Sequence, residues 1–231
     1  MVKPHHRPLA AYRILSYICI GLLFTAFLLS LLVGLSLPII KPIYLLRFYS
    51  TRTGQPVTSI ATELRFGVWG ACATGALDDP TLFSNNGECY GPRLGYVVPD
   101  SIIALTGLSE SLVDDVLKGL LVILVLHPIA AGLSLATLVC SLFLASHKLS
   151  ILALVLSIIT AIVTTVVFAI DLALVLVAKG QVTQLAELQF AIQWGNAPWM
   201  ALAAAVLTWL AVIALSARAC YCFGVRQHGK F

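Results

Sequence analysis

Two ionisable side chains, His127 and Asp171, fall inside long apolar runs of this chain. Lipid offers a carboxylate no hydrogen-bond partner, so an acid at such depth pairs with another group or serves a function. An imidazole suits that role, and its charge can change near neutral pH. The pair has two readings. It could be a titrating site, or, more plainly, a structural hydrogen bond holding two helices together. Pro128 follows His127 and removes one helical bond, which frees the carbonyl of Leu124 and gives the helix scope to kink.

Six cysteines divide by position. Cys72 and Cys89 stand in a long polar segment that is read below as facing an oxidising space, where a bridge is expected. Closing that loop of about 18 residues stabilises the fold by about 3 kcal/mol in the chain-entropy account. Cys19 and Cys140 lie within apolar runs and read as small buried side chains. Cys220 and Cys222 follow the last apolar run beside Arg218, a placement that suits reversible palmitoylation, with unmodified thiols as the alternative. The sequence contains no C-x-x-C, phosphate loop, G-x-S-x-G, H-E-x-x-H or histidine box. The expectation is a protein without enzymatic activity, cofactor or metal.

These residues are carried on elements that need lipid. Hydrophobic residues make up 60% of the 231, charged residues only 10%, and the mean hydropathy is +0.98. Ordinary globular domains carry roughly 25% charged residues. The basic residues behind the net charge of +4 sit singly at the edges of apolar runs, which argues against nucleic acid as a partner. A bilayer core needs about 20 apolar residues in helical form. Four stretches qualify: 14–37, 117–145, 151–177 and 199–217. The first exceeds the roughly 7–15 residues of a signal-peptide core and lacks an A-x-A-like site, so it reads as a retained span.

Charge sets the expected orientation. The N-terminal segment 1–13 carries Lys3, Arg7 and Arg13 without an acid. The turn 146–150 carries Lys148, and the tail 218–231 carries Arg218, Arg226 and Lys230. These segments share one side if the chain crosses four times, and that side is the cytosol. The segment 38–116 has Lys41, Arg47, Arg52, Arg65 and Arg93 against eight carboxylates and faces outside, together with 178–198. An inverted chain would put the basic residues outside and the tail thiols in an oxidising space.

About 79 residues in 38–116 are too many for a simple connector. β-prone runs cover 43–49, 64–71 and 90–98, and turns are expected at Asp78-Asp79-Pro80 and Asn85-Asn86-Gly87. Ser111-Leu112-Val113-Asp114 has the shape of a capping box, so a helix is expected to begin there and run into the second span. Gly132 with Ala136, and Ala201 with Ala205, have the spacing of close helix contacts within the bundle. Trp194 and Trp199 flank the entry to the fourth span, as interfacial tryptophans do.

The loop reads Arg65-Phe66-Gly67-Val68-Trp69-Gly70-Ala71-Cys72, then Cys89-Tyr90-Gly91-Pro92-Arg93-Leu94-Gly95-Tyr96. Gly67, Trp69 and Gly70 before the first cysteine, with Gly95 and Tyr96 after the second, resemble the Sur/PalI family of fungal four-span proteins. Leu126-His127-Pro128-Ile129-Ala130-Ala131 looks like a segment of the PalI branch, as do Ala169-Ile170-Asp171-Leu172 and Gly195-Asn196-Ala197-Pro198-Trp199. More remotely, Trp69 with Cys72 and Cys89 resembles the claudin-like superfamily. The fold implied is an all-α membrane four-helix bundle with a small extracellular β-sheet. The sequence departs from animal claudins around Trp69 and in the longer gap to Cys89, so tight-junction function is not carried over.

The resemblance implies a non-catalytic protein of the fungal plasma membrane. A PalI-like role would be to support a multi-span sensor of ambient pH. A Sur-like role would be to organise membrane domains and cell-wall integrity, by self-association or with another membrane protein. A third reading is a transporter or channel subunit using Asp171. The sequence stops at Phe231, without the long tail typical of many PalI proteins, which is one place where a partner could bind.

Overall fold

The computed structural model describes residues 10–37, 39–50, 63–74, 89–90, 110–142, 147–184 and 190–219. Four helices dominate: α1 (Ala10–Gly34), α2 (Glu110–Leu142), α3 (His147–Gln184) and α4 (Ala197–Ala219). Each contains a stretch long and apolar enough to cross a membrane: Ile14–Gly34, Val125–Leu142, Leu149–Gly180 and Ala197–Ala217. A helix is the form these runs must take in lipid, because it satisfies its backbone groups internally. α1 packs on α2 and α4, and α3 packs on α2 and α4, so the helices close into a four-membered ring.

Helix bounds differ from the sequence reading at several points, α1 running Ala10–Gly34 rather than 14–37 among them. α2 begins at Glu110, so Ser111 lies inside the helix and is not its N-cap. α3 begins at His147 and takes in most of the turn expected at 146–150. α3 also continues to Gln184, past the expected end of its span. Pro128 sits within α2 and faces away from the bundle, so its ring meets none of the packed interior.

Five short strands form one antiparallel sheet: β1 (Leu46–Ser50), β2 (Glu63–Phe66), β3 (Ala71–Thr74), β4 (Cys89–Tyr90) and β5 (Phe190–Trp194). The spatial order is β4-β3-β2-β1-β5. The run expected over 64–71 is two strands, because Gly67–Gly70 turns the chain and the Gly67 N–H donates to the Gly70 carbonyl at 2.8 Å. β5 comes from the second loop, 178–198, for which no strand was expected. It pairs with β1 from Leu46↔Trp194 to Ser50↔Phe190. Of the run expected over 90–98, only its first residue belongs to a described strand, and the turns at 78–80 and 85–87 lie outside the described residues.

Period-two alternation gives the sheet an apolar face. Leu46, Phe66, Ala71 and Trp194 occupy one row of it, and they pack with Val33 near the end of α1, Leu174 and Val175 within α3, and Ala197 at the start of α4. A second apolar cluster holds the opposite end of the bundle, around Cys19, Leu23, Leu138 and Leu215. Ala201 and Ala205 are buried, as their spacing led us to expect. Gly132 and Ala136 are not. Both face away from the bundle, and a Cβ at Gly132 would meet nothing within 4 Å. Buried Ala130 and Ser134 fix the phase of α2, and a residue two positions from each lies a little over half a turn away.

Candidate functional site

His127 and Asp171 approach each other inside the ring, His127 Nε2 lying 3.4 Å from Asp171 Oδ2. Their side chains are 3% and 0% exposed. α2 and α3 run antiparallel, which brings a residue near the sheet end of one helix to the same layer of the other. The separation is that of an ion pair, and neither Asp171 oxygen makes a hydrogen bond among the described residues. Lone charges are costly here, so the pair must be close to neutral as a unit. Imidazolium with carboxylate and imidazole with carboxylic acid both meet that demand, and both contain the same number of protons. The arrangement can hold one proton shared between two helices.

Gly67, Trp69 and Gly70 form a clamp between the sheet and the end of α1. The Trp69 indole N–H donates to the carbonyl of Gly34, the last residue of α1, and so satisfies a helix-end acceptor. The Trp69 backbone N–H donates to the Leu37 carbonyl at 3.1 Å, and the Val68 N–H to Ser36 Oγ at 2.9 Å. Gly67 must be glycine for steric reasons. A Cβ there would lie 2.7 Å from the Leu37 carbonyl oxygen and 2.8 Å from its nitrogen. The clamp lies beside the pair's helix, since a Cβ at Gly34 would meet the backbone of His127 at 3.9 Å.

Cys72 and Cys89 form a disulfide between directly opposed residues of β3 and β4, their Cα atoms 4.1 Å apart. Gly95, Tyr96, Cys220 and Cys222 lie outside the described residues. Cys19 is a buried free thiol and Cys140 a half-buried one. Trp194 ends β5 and Trp199 sits in the first turn of α4, their ring centroids 6.3 Å apart.

A second clamp went unassigned in the sequence reading. Asn196 Oδ1 accepts the Tyr44 N–H at 3.1 Å, and Asn196 Nδ2 donates to the Pro42 carbonyl at 2.8 Å. The Gly195 N–H donates to the Leu45 carbonyl at 2.9 Å, and a Cβ at Gly195 would run into the Tyr44 carbonyl. Gly-Asn-Ala-Pro immediately before an apolar run was the available signal: a glycine that admits close backbone approach, then an amide able to serve two backbone groups at once.

Neither clamp has the makings of a catalytic centre, because its polar groups are spent on backbone partners. The stretch 12–213 matches the SUR7/PalI family. No curated protein matches the chain.

Proposed function

Because the chain belongs to the SUR7/PalI family, whose members are non-enzymatic membrane proteins, we propose that it is a non-catalytic accessory of a multi-span sensor of ambient pH. The supporting observation is the meeting of His127 and Asp171 at 3.4 Å. They belong to the two segments, around Leu126–Ala131 and Ala169–Leu172, whose resemblance to the PalI branch motivated this reading. In this role the protein resides in the plasma membrane with both termini in the cytosol and the sheet outside. It assists the sensor's residence at the cell surface. Deleting the gene in its host tests this directly: growth at alkaline pH should fall, together with the surface level of the sensor. Normal alkaline growth with unchanged sensor localisation would overturn it.

A second reading is favoured by the disulfide-tied sheet, which is fastened to the bundle at both clamps. A rigid platform of this kind suits a structural organiser of membrane domains or of the cell wall. That role predicts immobile cortical clusters and a wall defect that does not depend on pH.

A further inference from the structure

Buried polar side chains mark the contact between α2 and α3 at a seven-residue interval. On α3 the series is Ser150, Ser157, Thr164 and Asp171; on α2 it is His127, Ser134 and Ser141. Thr137 and Thr160 fall between them, and every member is less than a tenth exposed. Two rungs fix the register: His127 with Asp171 at 3.4 Å, and Thr137 Oγ1 with Thr160 Oγ1 at 2.9 Å. The same antiparallel register sets Ser134 opposite Thr164 and Ser141 opposite Ser157. Between Ser150 and Asp171 the helix rises on the order of 30 Å, the thickness of a bilayer's hydrocarbon core.

Adhesion between helices accounts for this seam poorly. Hydroxyls that hold helices together bond across the interface. Here Ser141 donates to Leu138, Ser157 to Leu154 and Thr164 to Thr160, all carbonyls of their own helix. Among the described residues, only the threonine rung crosses between α2 and α3 through hydroxyls. These three donors are therefore satisfied at home while their oxygens keep spare acceptor capacity. Ser134 Oγ and both Asp171 oxygens are buried without a hydrogen bond. A cavity of about 10 Å³, lined by Ser30, His127 and Thr164 among small apolar side chains of all four helices, adjoins the seam at the partners of these groups, His127 being paired with Asp171 and Thr164 lying opposite Ser134. That is about the room one water molecule needs.

We propose that this seam is a water path, running from the end of the bundle remote from the sheet to the His127–Asp171 pair, with hydronium as its ionic guest. The cavity is its last station. A proton moves along it by exchange: each oxygen gains a bond to an incoming proton and releases one onward. At the end the pair takes one proton from the last water and returns one to it, so that His127 with Asp171 keeps a single shared proton and stays neutral. No co-reactant is consumed. The inference rests on the seam's geometry and stands apart from the accessory role above.

Cysteine accessibility tests it. Ser134→Cys and Ala136→Cys, at the same depth but on opposite faces of α2, are placed in the full chain in liposomes. Labelling by a small, water-soluble methanethiosulfonate is compared with that of the parent protein. Because the thiolate reacts, the rate reports water. Cysteine at 134 should label at least tenfold faster than at 136, and Thr160→Leu, which plugs the seam below it, should abolish the difference. Equal rates at 134 and 136 would overturn the path, and a fast rate that Thr160→Leu leaves unchanged would overturn its route. If the variant at 134 misfolds, Ser141→Cys is compared with Val139→Cys: equal rates would overturn the path, and because position 160 lies beyond 141 from the entrance, a Thr160→Leu that slows labelling at 141 would overturn the route.

Discussion

At the scale of the residue, His127 and Asp171 are bound by mutual neutrality rather than by strong contact. Removing one partner strands the other in a medium that cannot solvate it, whereas removing both leaves an apolar gap that packing can fill. Asp171→Leu alone should therefore cost about 3 kcal/mol, and the double substitution His127→Leu/Asp171→Leu should recover most of it. Thermal unfolding in detergent checks the order: the double variant melts above either single one. Additive losses would show that the two side chains do not depend on each other. Gly67 belongs to the same scale but fails for a different reason. Gly67→Ala forces a methyl group into the Leu37 backbone, and overpacking of this kind costs about 1–3 kcal/mol. The expected result is a lower melting temperature with the helices intact by circular dichroism.

At the scale of the element, the two clamps join each loop to the helices, and Asn196 joins the loops to each other. Its amide holds Tyr44 and Pro42, which lie in the other loop more than 150 residues away in sequence. Asn196→Ala leaves a donor and an acceptor without partners at a site that water can partly serve, so about 1 kcal/mol is expected. Hydrogen exchange should quicken at Tyr44 and along the β1–β5 pairing while the helix cores stay protected. Uniform quickening through all four helices would assign the residue a global role instead. The same contrast explains what the sequence disclosed. Long apolar runs announce spans because lipid imposes one backbone solution, and Cys72 and Cys89 announce a bridge because no other pair shares their segment. β5 was hidden because five residues form a strand only once β1 supplies partners from the far side of the chain. Gly132 and Ala136 misled because spacing gives the period of a helix face and not its phase. His127 to Asp171 was legible as a shared layer, whereas the hydroxyl seam beneath it needed the register of two whole helices.

At the scale of the molecule, the sheet decides how the chain threads. β1 lies between α1 and α2, β5 lies between α3 and α4, and the two are hydrogen-bonded neighbours. Both loops must therefore share one end of the bundle, which puts the start of α1, the end of α2, the start of α3 and the end of α4 at the other. The acid-free basic segments adjoin that end in sequence: Lys3, Arg7 and Arg13 before α1 or in its first turn, Lys148 at the start of α3, and Arg218, Arg226 and Lys230 at or after the end of α4. Basic residues are retained on the cytosolic face, so the sheet end is expected to face outward, where the bridge is stable against reduction. An epitope inserted at Asn85, between the two cysteines, should stain on intact cells, whereas one appended after Phe231 should stain only after permeabilisation. In the same preparation Cys72 and Cys89 should resist a thiol reagent until reductant is added. An epitope at Asn85 that stains only in permeabilised cells would reverse the orientation while leaving the sheet, both clamps and the buried pair as they are. Freely labelled cysteines at 72 and 89 would instead contradict the strand pairing itself, since the bridge joins directly opposed residues of β3 and β4.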